Sequence, residues 1–362
     1  MKIVLIFIFQ LQFICCFSQS ELQSENVILI TLDGLRWQEL FGGADGNLIN
    51  DKSYVKDTTA LKQLFWKPTA EARRAALMPF FWNTIAQQGQ LYGNRSLGSQ
   101  VNCTNQHWFS YPGYSEILCG FSDDHRIDSN DKINNPNTTV LEFVNRQQGF
   151  NGSVAAFGSW DVFPFIINEE RSGIPVNAGF KPADHPRLSE HEKFLNMLQR
   201  QIPSPWATVR LDAFTYHYAM EYIDEYHPRL TYIAFGETDD FAHEGHYDAY
   251  LKSARQTDEF IAQLWDYVQS NPHCQDKTTL IVTTDHGRGT VPKETWQHHG
   301  SKINGADQIW IAVIGPDTPA LGEARHHEQL YQNQVAATVA NFLGLEYTNQ
   351  NPVGEFVKSA FK

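Results

Sequence analysis

Five short apolar runs, separated by longer stretches of mixed polarity, constrain the fold of this chain most strongly. The runs are VILITL (27–32), VAAFG (154–158), LTYIAFG (230–236), TLIVTT (279–284) and IWIAVIGP (309–316). Runs of this length and composition are typical of buried parallel strands. Residues 247–270 and 328–343 carry apolar side chains at spacings of three and four, which predicts helices, the second ending before Gly344. Strands that alternate with helices predict an α/β fold with a mostly parallel central sheet and helices on both faces.

The N-terminus has the composition of a secretory signal peptide. Lys2 precedes an apolar stretch, and Cys16-Phe17-Ser18 offers a cleavage site before Gln19. The apolar stretch is short for a bilayer span and is interrupted by glutamines, so we expect no stable membrane insertion. We therefore predict a signal peptide over residues 1–18, a single domain over residues 19–362, and a secreted or periplasmic protein.

Charge and cysteine content narrow the classes of partner and ligand. The net charge of −13 argues against a nucleic-acid duplex as partner. Cys103, Cys119 and Cys274 follow the predicted signal peptide, and no Cys-x-x-Cys pair occurs. A Cys103–Cys119 disulfide is compatible with an oxidising compartment, although the odd count leaves the pairing open, and cysteine is not the expected metal ligand. The sequence does not predict the oligomeric state.

Acids and histidines accompany four of the apolar runs. Asp33-Gly34 follows the first run, Asp239-x-x-x-His243 follows the third, Asp285-His286-Gly287 follows the fourth, and His298-His299-Gly300 precedes the fifth. Each motif alone has an ordinary alternative reading, as a turn, a polar helix face or a solvated loop. Ligands of open α/β sheets gather at the carboxyl ends of the strands, where these acids would repel one another without a cation. The set of carboxylates and imidazoles therefore predicts two divalent ions, zinc first and manganese second.

The order of these motifs resembles the metal motifs of the alkaline phosphatase superfamily, over residues 27 to 316. The closest branch is the type I phosphodiesterase/nucleotide pyrophosphatase group with its phosphatase relatives. The resemblance implies that Asp239, His243 and His299 hold one metal, with His298 as the alternative to His299. It implies that the other metal is held by Asp33, Asp285, His286 and the oxygen of the nucleophile.

The resemblance also points to the nucleophile, in the segment SYPGYSEILCG (110–120). Tyr114 and Cys119 depart from the family pattern, which has His and Thr there. Pro112 suits the first turn of a helix, which would put Ser110 at the helix N-terminus, where backbone amides favour phosphate oxygens. Ser115 would lie inside that helix, bonded to its own backbone. Ser110 is therefore the predicted nucleophile and metal ligand.

Two further features concern the substrate. In the resembling family an asparagine after this segment contacts a phosphate oxygen, which makes Asn130 the predicted residue and Asn134 its rival, with a plain turn residue as the equal alternative. Residues 121–215 are predicted to contribute a substrate-facing insertion. Its aromatic residues stack on a nucleoside or aryl group or belong to the core. These are Trp160, Phe163, Phe165 and Phe180.

The function predicted from these features is a secreted two-metal phosphoric ester hydrolase that uses Ser110 and a covalent phospho-enzyme. The substrate is a small phosphate ester. Some phosphomonoesterase relatives in the resembling superfamily carry a Lys-x-Arg pair in this region for the extra phosphate charge, and because no such pair occurs here and only Arg171 is nearby, diesters or nucleotides are favoured. The alternatives are a phosphomonoesterase with the same site, a phosphoglycerate mutase-like metalloenzyme, and an inactive binding homologue. A sulfatase would need an arginine where Tyr114 stands.

Overall fold

The structure of the protein is a computed structural model that describes residues 22–325 and 328–362. The predicted signal peptide lies outside these residues. The described residues form eleven strands: β1 Asn26–Leu32, β2 Gln90–Tyr92, β3 Gln100–Asn102, β4 Val154–Gly158, β5 Val176–Ala178, β6 Leu230–Phe235, β7 Thr278–Thr283, β8 Gln308–Ile309, β9 Ile311–Ile314, β10 Gly322–Glu323 and β11 Gln329–Tyr331.

Fourteen α-helices accompany the strands in the same part of the chain. They are α1 Trp37–Gly42, α2 Gly46–Ile49, α3 Thr58–Phe65, α4 Ala70–Leu77, α5 Ala86–Gln88, α6 Ser110–Cys119, α7 Val140–Asn145, α8 Phe163–Ile166, α9 Glu169–Ser172, α10 Glu190–Gln201, α11 Asp212–Tyr226, α12 Glu237–His243, α13 Tyr247–Ser270 and α14 Val335–Phe342. One π-helical turn (Phe81–Ile85) and four 3₁₀ turns (Arg95–Leu97, Lys293–Gln297, Gln332–Gln334, Lys358–Ala360) complete the list of helical elements.

The central sheet has eight strands in the order β10-β2-β9-β7-β1-β6-β4-β5, and β11-β3-β8 form a second, small sheet. In the central sheet only β9 runs antiparallel to its neighbours β2 and β7. The predicted mostly parallel α/β fold is confirmed. The prediction that the run 309–316 is a parallel strand was wrong, because that run divides at Trp310 between β8 of the small sheet and β9, which is antiparallel to both of its neighbours.

The antiparallel direction of β9 determines at which edge of the sheet the preceding loop lies. A parallel strand would have its preceding loop at the opposite edge of the sheet, whereas an antiparallel strand brings that loop to the edge where its neighbours end. In register, Leu32 lies opposite Phe235, and Thr31 lies opposite Thr283. The segments that follow β1, β6 and β7 therefore leave the sheet side by side, and His298-His299 reach the same edge.

Hydrophobic cores cover both faces of the sheet. Alternate side chains of β1 point to opposite faces, so that Ile28 and Ile30 belong to one core and Val27 and Leu29 to the other. The first core packs against helices that include α1, α11 and α13. The second packs against α6, α7, α8 and α14. The expectation of helices on both faces is thereby confirmed.

Several local predictions have clear outcomes. The helix predicted over 247–270 is α13, Tyr247–Ser270. The helix predicted over 328–343 is shorter, because the chain first forms β11 and a 3₁₀ turn and becomes α-helical only from Val335. Cys103, Cys119 and Cys274 are all free thiols, so the disulfide does not form. Residues 121–215 also supply β4 and β5 to the central sheet.

Within the described ranges, none of the helices combines the length and apolar composition that a membrane crossing requires.

Candidate metal centre

Six side chains meet at the edge where β1, β6 and β7 end, and they form two groups whose ligand atoms lie within 4.8 Å of one another. The first group contains Asp33, Asp285 and His286, and the second contains Asp239, His243 and His299. These are the six ligands predicted from the sequence, divided between two sites as predicted. Their role as ligands stays a prediction.

The first group is fully enclosed and carries three polar atoms with no hydrogen-bond partner in the described residues. They are Oδ1 of Asp33, Oδ2 of Asp285 and Nε2 of His286. Nε2 of His286 lies 3.3 Å from Oδ1 of Asp33 and 3.5 Å from Oδ2 of Asp285. Unpaired buried polar atoms are costly, and three of them that point at one position suit a cation.

The electrostatics of the first group lead to the same conclusion. Burial and the neighbouring Asp239 raise the pKa of Asp33 well above its ordinary value. Burial and Asp33 do the same to the pKa of Asp285. The raised pKa values mean that the two carboxyls do not readily ionise side by side. A divalent ion between them would compensate their charge and stabilise both as carboxylates.

The second group is more open to solvent. Nε2 of His243 lies 3.2 Å from Oδ2 of Asp239 and 2.9 Å from Nε2 of His299. Burial alone would raise the pKa of Asp239, but Arg288 and His243 hold that pKa well below its ordinary value. Burial and the neighbouring His286 ring lower the pKa of His299 well below its ordinary value, which favours the neutral imidazole that binds metals.

A hydrogen bond selects the tautomer of His299. Its Nδ1 lies 3.2 Å from the backbone carbonyl oxygen of Trp108, which can only accept, so Nδ1 carries the proton. Nε2 then presents its lone pair to Asp239 and His243. A ligand histidine that donates its other N–H to a carbonyl is the usual arrangement in metal sites.

The first group has the spacing of ligands around a zinc-sized ion. Ligand atoms held at about 2.1 Å from a tetrahedral ion lie about 3.4 Å apart, and the separations in the first group are 3.3 and 3.5 Å. Each group offers three oxygen or nitrogen donors, which leaves a fourth position for an additional ligand. The donor sets are compatible with zinc and with manganese, so they support the presence of a metal more strongly than its identity.

Arg288 belongs to the centre and was missed by the sequence analysis. Its guanidinium is fully buried, forms an ion pair with Asp239, and donates to the carbonyl oxygens of Gln297 at 2.7 Å and of Gly34 at 3.2 Å. It thus joins three of the segments that carry the ligands. A lone arginine three residues after Asp285 reads as a surface residue, and no pattern in the sequence distinguished it.

Helix α6 brings Ser110 to the centre. Ser110 is the first residue of α6 and is buried, and Pro112 lies in the first turn as predicted. One turn later, a Cβ added to Gly113 would come within 2.3 Å of the backbone oxygen of Asp285, so the helix packs directly on that ligand. The hydroxyl of Tyr114 donates to Oδ2 of Asp33 at 2.8 Å.

The N-terminus of α6 also distinguishes the two candidate asparagines. Oδ1 of Asn130 accepts from the backbone N–H of Tyr111, the residue after Ser110, at 3.0 Å, and no acceptor among the described residues engages its amide N–H groups. The side chain of Asn134 instead lies 3.3 Å from Glu170. The structure therefore brings Asn130 next to the predicted nucleophile and leaves Asn134 outside.

Other polar residues near the ligands have structural partners. His246 pairs with Glu244 at 3.1 Å, and Glu237 accepts from the backbone N–H of Asp212 at 2.9 Å. Burial and Asp239 raise the pKa of Asp240 to about 8. Ser115 is not bonded to its own backbone as expected, because its hydroxyl accepts from Nδ2 of Asn135 at 3.1 Å.

The aromatic residues of the predicted insertion divide between core and surface. Phe163 is buried and packs edge-on against Tyr114, with ring centroids 4.8 Å apart. Trp160 is partly buried, and Phe180 is exposed. Phe163 is therefore a core residue that supports Tyr114, and stacking on a substrate stays a prediction for the others.

Comparisons with known structures show the same fold at low sequence identity. Alkaline phosphatase PafA matches with a TM-score of 0.60 at 10% identity, covering 94% of this chain and 99% of that chain. The lipoteichoic acid synthase LtaP from Listeria monocytogenes matches with a TM-score of 0.58 at 11% identity, covering 90% and 73% of the two chains. The phosphonate monoester hydrolase of Agrobacterium radiobacter matches with a TM-score of 0.54 at 14% identity, covering 92% and 76%.

The sequence itself gives a more specific assignment. The comparison with curated proteins found no match. The profile of the type I phosphodiesterase/nucleotide pyrophosphatase family, however, matches residues 51–343, which is most of the chain. With the alkaline phosphatase-like fold and the two groups of potential metal ligands, this match confirms the resemblance, and the protein belongs to the type I phosphodiesterase/nucleotide pyrophosphatase family of phosphoric ester hydrolases.

Proposed function

We propose that the protein hydrolyses small phosphate esters at a two-metal centre with Ser110 as the nucleophile, and that phosphodiesters are its preferred substrates. The observation that carries this proposal is the set of contacts on either side of Ser110. The carbonyl of Trp108 contacts His299 of the second group, whereas Gly113 and Tyr114 contact Asp285 and Asp33 of the first group. These contacts support a position for Ser110 between the two groups.

The proposed roles of the six ligands follow from this arrangement. Asp33, Asp285 and His286 would hold one divalent ion, and Asp239, His243 and His299 the other. When bound, the two ions would lower the pKa of the serine hydroxyl and neutralise charge on the phosphoryl group. Zinc is the first candidate and manganese the second.

The protein's own residues supply the rest of the chemistry. The Ser110 oxygen forms a bond to phosphorus as the ester bond to the leaving alcohol breaks, and the proton of the serine hydroxyl leaves with that alcohol. A monoester gives a phosphoserine, and a diester gives a phosphoserine that still carries the second ester group. Water then attacks the same phosphorus, releases phosphate or a phosphomonoester, and restores the serine. The amide N–H groups of Asn130, whose Oδ1 accepts from the backbone N–H of Tyr111, would donate to the non-bridging oxygens, where negative charge is concentrated.

The preference for diesters rests on the cations of the surrounding segments. A phosphomonoester carries one more negative charge than a diester and needs an extra cation for binding. Arg171 is engaged by Glu142 at 2.8 Å and by the carbonyl oxygen of Asn137. Lys132, two residues after Asn130, pairs with Asp161 at 2.7 Å. Both cations already have a carboxylate partner, and Glu142 is shared with Arg146, which supports a substrate of lower charge.

The test compares hydrolysis of p-nitrophenyl phosphate and bis-p-nitrophenyl phosphate by purified protein before and after treatment with a chelator. We expect zinc-dependent turnover of both esters, a higher kcat/KM for the diester, and loss of turnover in Ser110→Ala with zinc binding largely retained. Chelator-resistant turnover, or a fully active Ser110→Ala, would contradict the mechanism. A higher kcat/KM for the monoester would overturn the substrate preference and leave the mechanism standing.

The secreted location belongs to the proposal as well. It is supported by the composition of residues 1–18 alone. N-terminal sequencing of the protein exported by its source cell tests it. We expect the chain to begin near Gln19, and an intact N-terminus in the cytoplasm would contradict the location.

A further inference from the structure

Glu116 is a fully buried carboxylate on α6, two turns after Ser110, and its function is not explained by the metal centre. Among the described residues it forms no salt bridge with a lysine, arginine or histidine. Its partners are instead neutral donors of two consecutive residues. Its oxygens accept from the backbone N–H and hydroxyl of Thr104 at 2.9 and 2.8 Å, and from the backbone N–H and side-chain amide of Asn105 at 2.8 Å each.

Asn105 continues this set of contacts towards the centre. It is buried, and its Oδ1 accepts from the backbone N–H groups of His107 at 3.1 Å and Trp108 at 2.9 Å. The turn that results places Trp108 at φ 51°, in the left-handed region that a bulky aromatic residue rarely adopts. Such a conformation persists only where the surrounding bonds impose it.

The left-handed turn determines where the carbonyl of Trp108 points. That oxygen accepts from Nδ1 of His299 at 3.2 Å, and Ser110 follows two residues later as the first residue of α6. One loop therefore contacts a proposed ligand and leads directly into the proposed nucleophile. The loop is fastened to the body of the same helix through Glu116.

We propose that Glu116 and Asn105 are positioning residues, which hold the Trp108 carbonyl against His299 and thereby fix the tautomer and orientation of this ligand. The proposal rests on the proposed two-metal function. Outer hydrogen-bond partners of metal ligands typically change metal affinity or activity about 10- to 100-fold when they are removed. The effect of Glu116 on His299 is indirect, through Asn105 and Trp108, and Glu116 contacts neither substrate nor metal.

A purely structural role makes a different prediction from a positioning role. If Glu116 only closes the loop, its loss lowers the stability of the fold and leaves the zinc affinities of the folded protein unchanged. If it positions His299, its loss lowers the affinity of one site for zinc and leaves the affinity of the other site unchanged. Zinc affinity, measured in folded protein by competition with a chromophoric chelator, separates the two roles without any assay of turnover.

The experiment uses Glu116→Gln and Asn105→Ala, with Asp258→Asn as the matched control. Asp258 is a buried carboxylate that accepts from the backbone N–H groups of Phe80 at 2.9 Å and Phe81 at 3.1 Å, but it lies on α13, on the opposite face of the sheet. We expect one zinc ion to bind about 10-fold or more weakly in both test variants. We expect the control to keep both affinities.

A double-mutant cycle identifies the ligand through which the effect passes. In a His299→Ala background, which already lacks the proposed contact, Glu116→Gln should not weaken zinc binding any further. Unchanged zinc affinities in both test variants would overturn the proposal, as would equal weakening of both ions or a full additional effect in the His299→Ala background. If the wild-type protein binds no zinc, the proposed function itself fails, which is a separate result.

Discussion

The hydroxyl of Tyr114 donates a hydrogen bond to Oδ2 of Asp33 at 2.8 Å. Asp33 follows the central strand β1, whereas Tyr114 lies on α6 one turn after Ser110. The bond therefore connects a proposed ligand of the first group to the helix of the proposed nucleophile. Tyr114 departs from the pattern of the resembling superfamily, and the structure gives that departure a specific partner within the centre.

Replacing Tyr114 with phenylalanine should remove this bond and keep the ring packed on Phe163. Asp33 would lose a donor that fixes its orientation, so we expect about 10-fold weaker binding of one zinc ion and a lower kcat. Zinc competition and steady-state kinetics measure the two effects. Tyr232→Phe is the matched control, because its hydroxyl is buried on the same face but contacts Thr31 at 3.0 Å. Equal effects of the two variants would contradict a specific role for Tyr114.

Gly113→Ala should separate α6 from the first group. A Cβ at this position would come within 2.3 Å of the backbone oxygen of Asp285, which cannot move without shifting β7 or the helix. We expect a loss of more than 10-fold in kcat together with a lower melting temperature. Gly42→Ala is the control, because no atom lies within 4 Å of its added Cβ and its φ is not positive. A fully active Gly113→Ala would show that this contact is dispensable.

Arg288→Lys should impair the second group although it preserves the charge. The guanidinium bonds Asp239 and the carbonyl oxygens of Gly34 and Gln297 at once, which a lysine cannot reproduce. We expect weaker binding of one zinc ion and a lower kcat by about 10-fold or more. Arg210→Lys is the control, since this buried arginine bonds Thr215 and Asn177 instead. Zinc affinities that fall equally in both variants would contradict the prediction.

The fold was largely predictable because its strands are short apolar runs and its longest helix is amphipathic. The position and type of these elements follow from local pattern, and the proposed ligands follow from the ends of the strands. Strand direction does not follow from local pattern, because the side chains of 309–314 are buried whichever way the strand runs. Short strands such as β2 and β10 are held by pairing with distant segments, and three or two residues carry no periodic signal.

The missed residues of the centre share a physical reason. Arg288 and Glu116 are charged side chains that are fully buried, whereas charged residues in a sequence are expected at the surface. Their partners are mainly backbone atoms of segments far away in the chain or in neighbouring loops, and a sequence shows no such contacts. The hydroxyl of Tyr114 belongs to the same class, because only the packing of α6 on β1 reveals its partner.

The stability of the fold should depend on pH through Asp258, a buried carboxyl on α13 that lies outside the metal centre. Burial raises its pKa from an ordinary carboxyl value to about 7 in the folded chain. The folded state therefore binds this proton more tightly than the unfolded state. Its contribution to stability is fully present below about pH 4, the pKa of an unfolded aspartate, and is lost as the pH rises through 7.

This carboxyl changes the free energy of unfolding by at most about 4 kcal/mol, because its pKa differs by about three between the folded and unfolded chain. Arg255 and Glu259 are the charged neighbours of Asp258, and both belong to the same helix. Denaturant unfolding of metal-free wild type and Asp258→Asn at pH 5 and pH 8 isolates this contribution. We expect the wild type to lose stability relative to the variant between the two pH values. A constant difference between the two proteins would contradict the raised pKa.

Asp161→Asn should change the substrate preference in favour of monoesters. Asp161 neutralises Lys132 at 2.7 Å, and Lys132 lies two residues from Asn130, which contacts the N-terminus of α6. Without the carboxylate, the ammonium becomes available for the additional charge of a phosphomonoester. We expect kcat/KM for p-nitrophenyl phosphate to rise several-fold relative to that for bis-p-nitrophenyl phosphate.

The matched control for this prediction is Glu169→Gln, which frees Lys181 from a pair of nearly equal length, 2.8 Å, on the segment beside β5. Lys181 has no contact with α6 or Asn130 in the hydrogen bonds of the described residues, so its release should leave the ratio of the two kcat/KM values unchanged. High salt should reduce the effect of Asp161→Asn, because the freed ammonium is partly exposed and its attraction for a dianion is screened. An equal change in both variants would mean that net charge, rather than the position of Lys132, sets the preference.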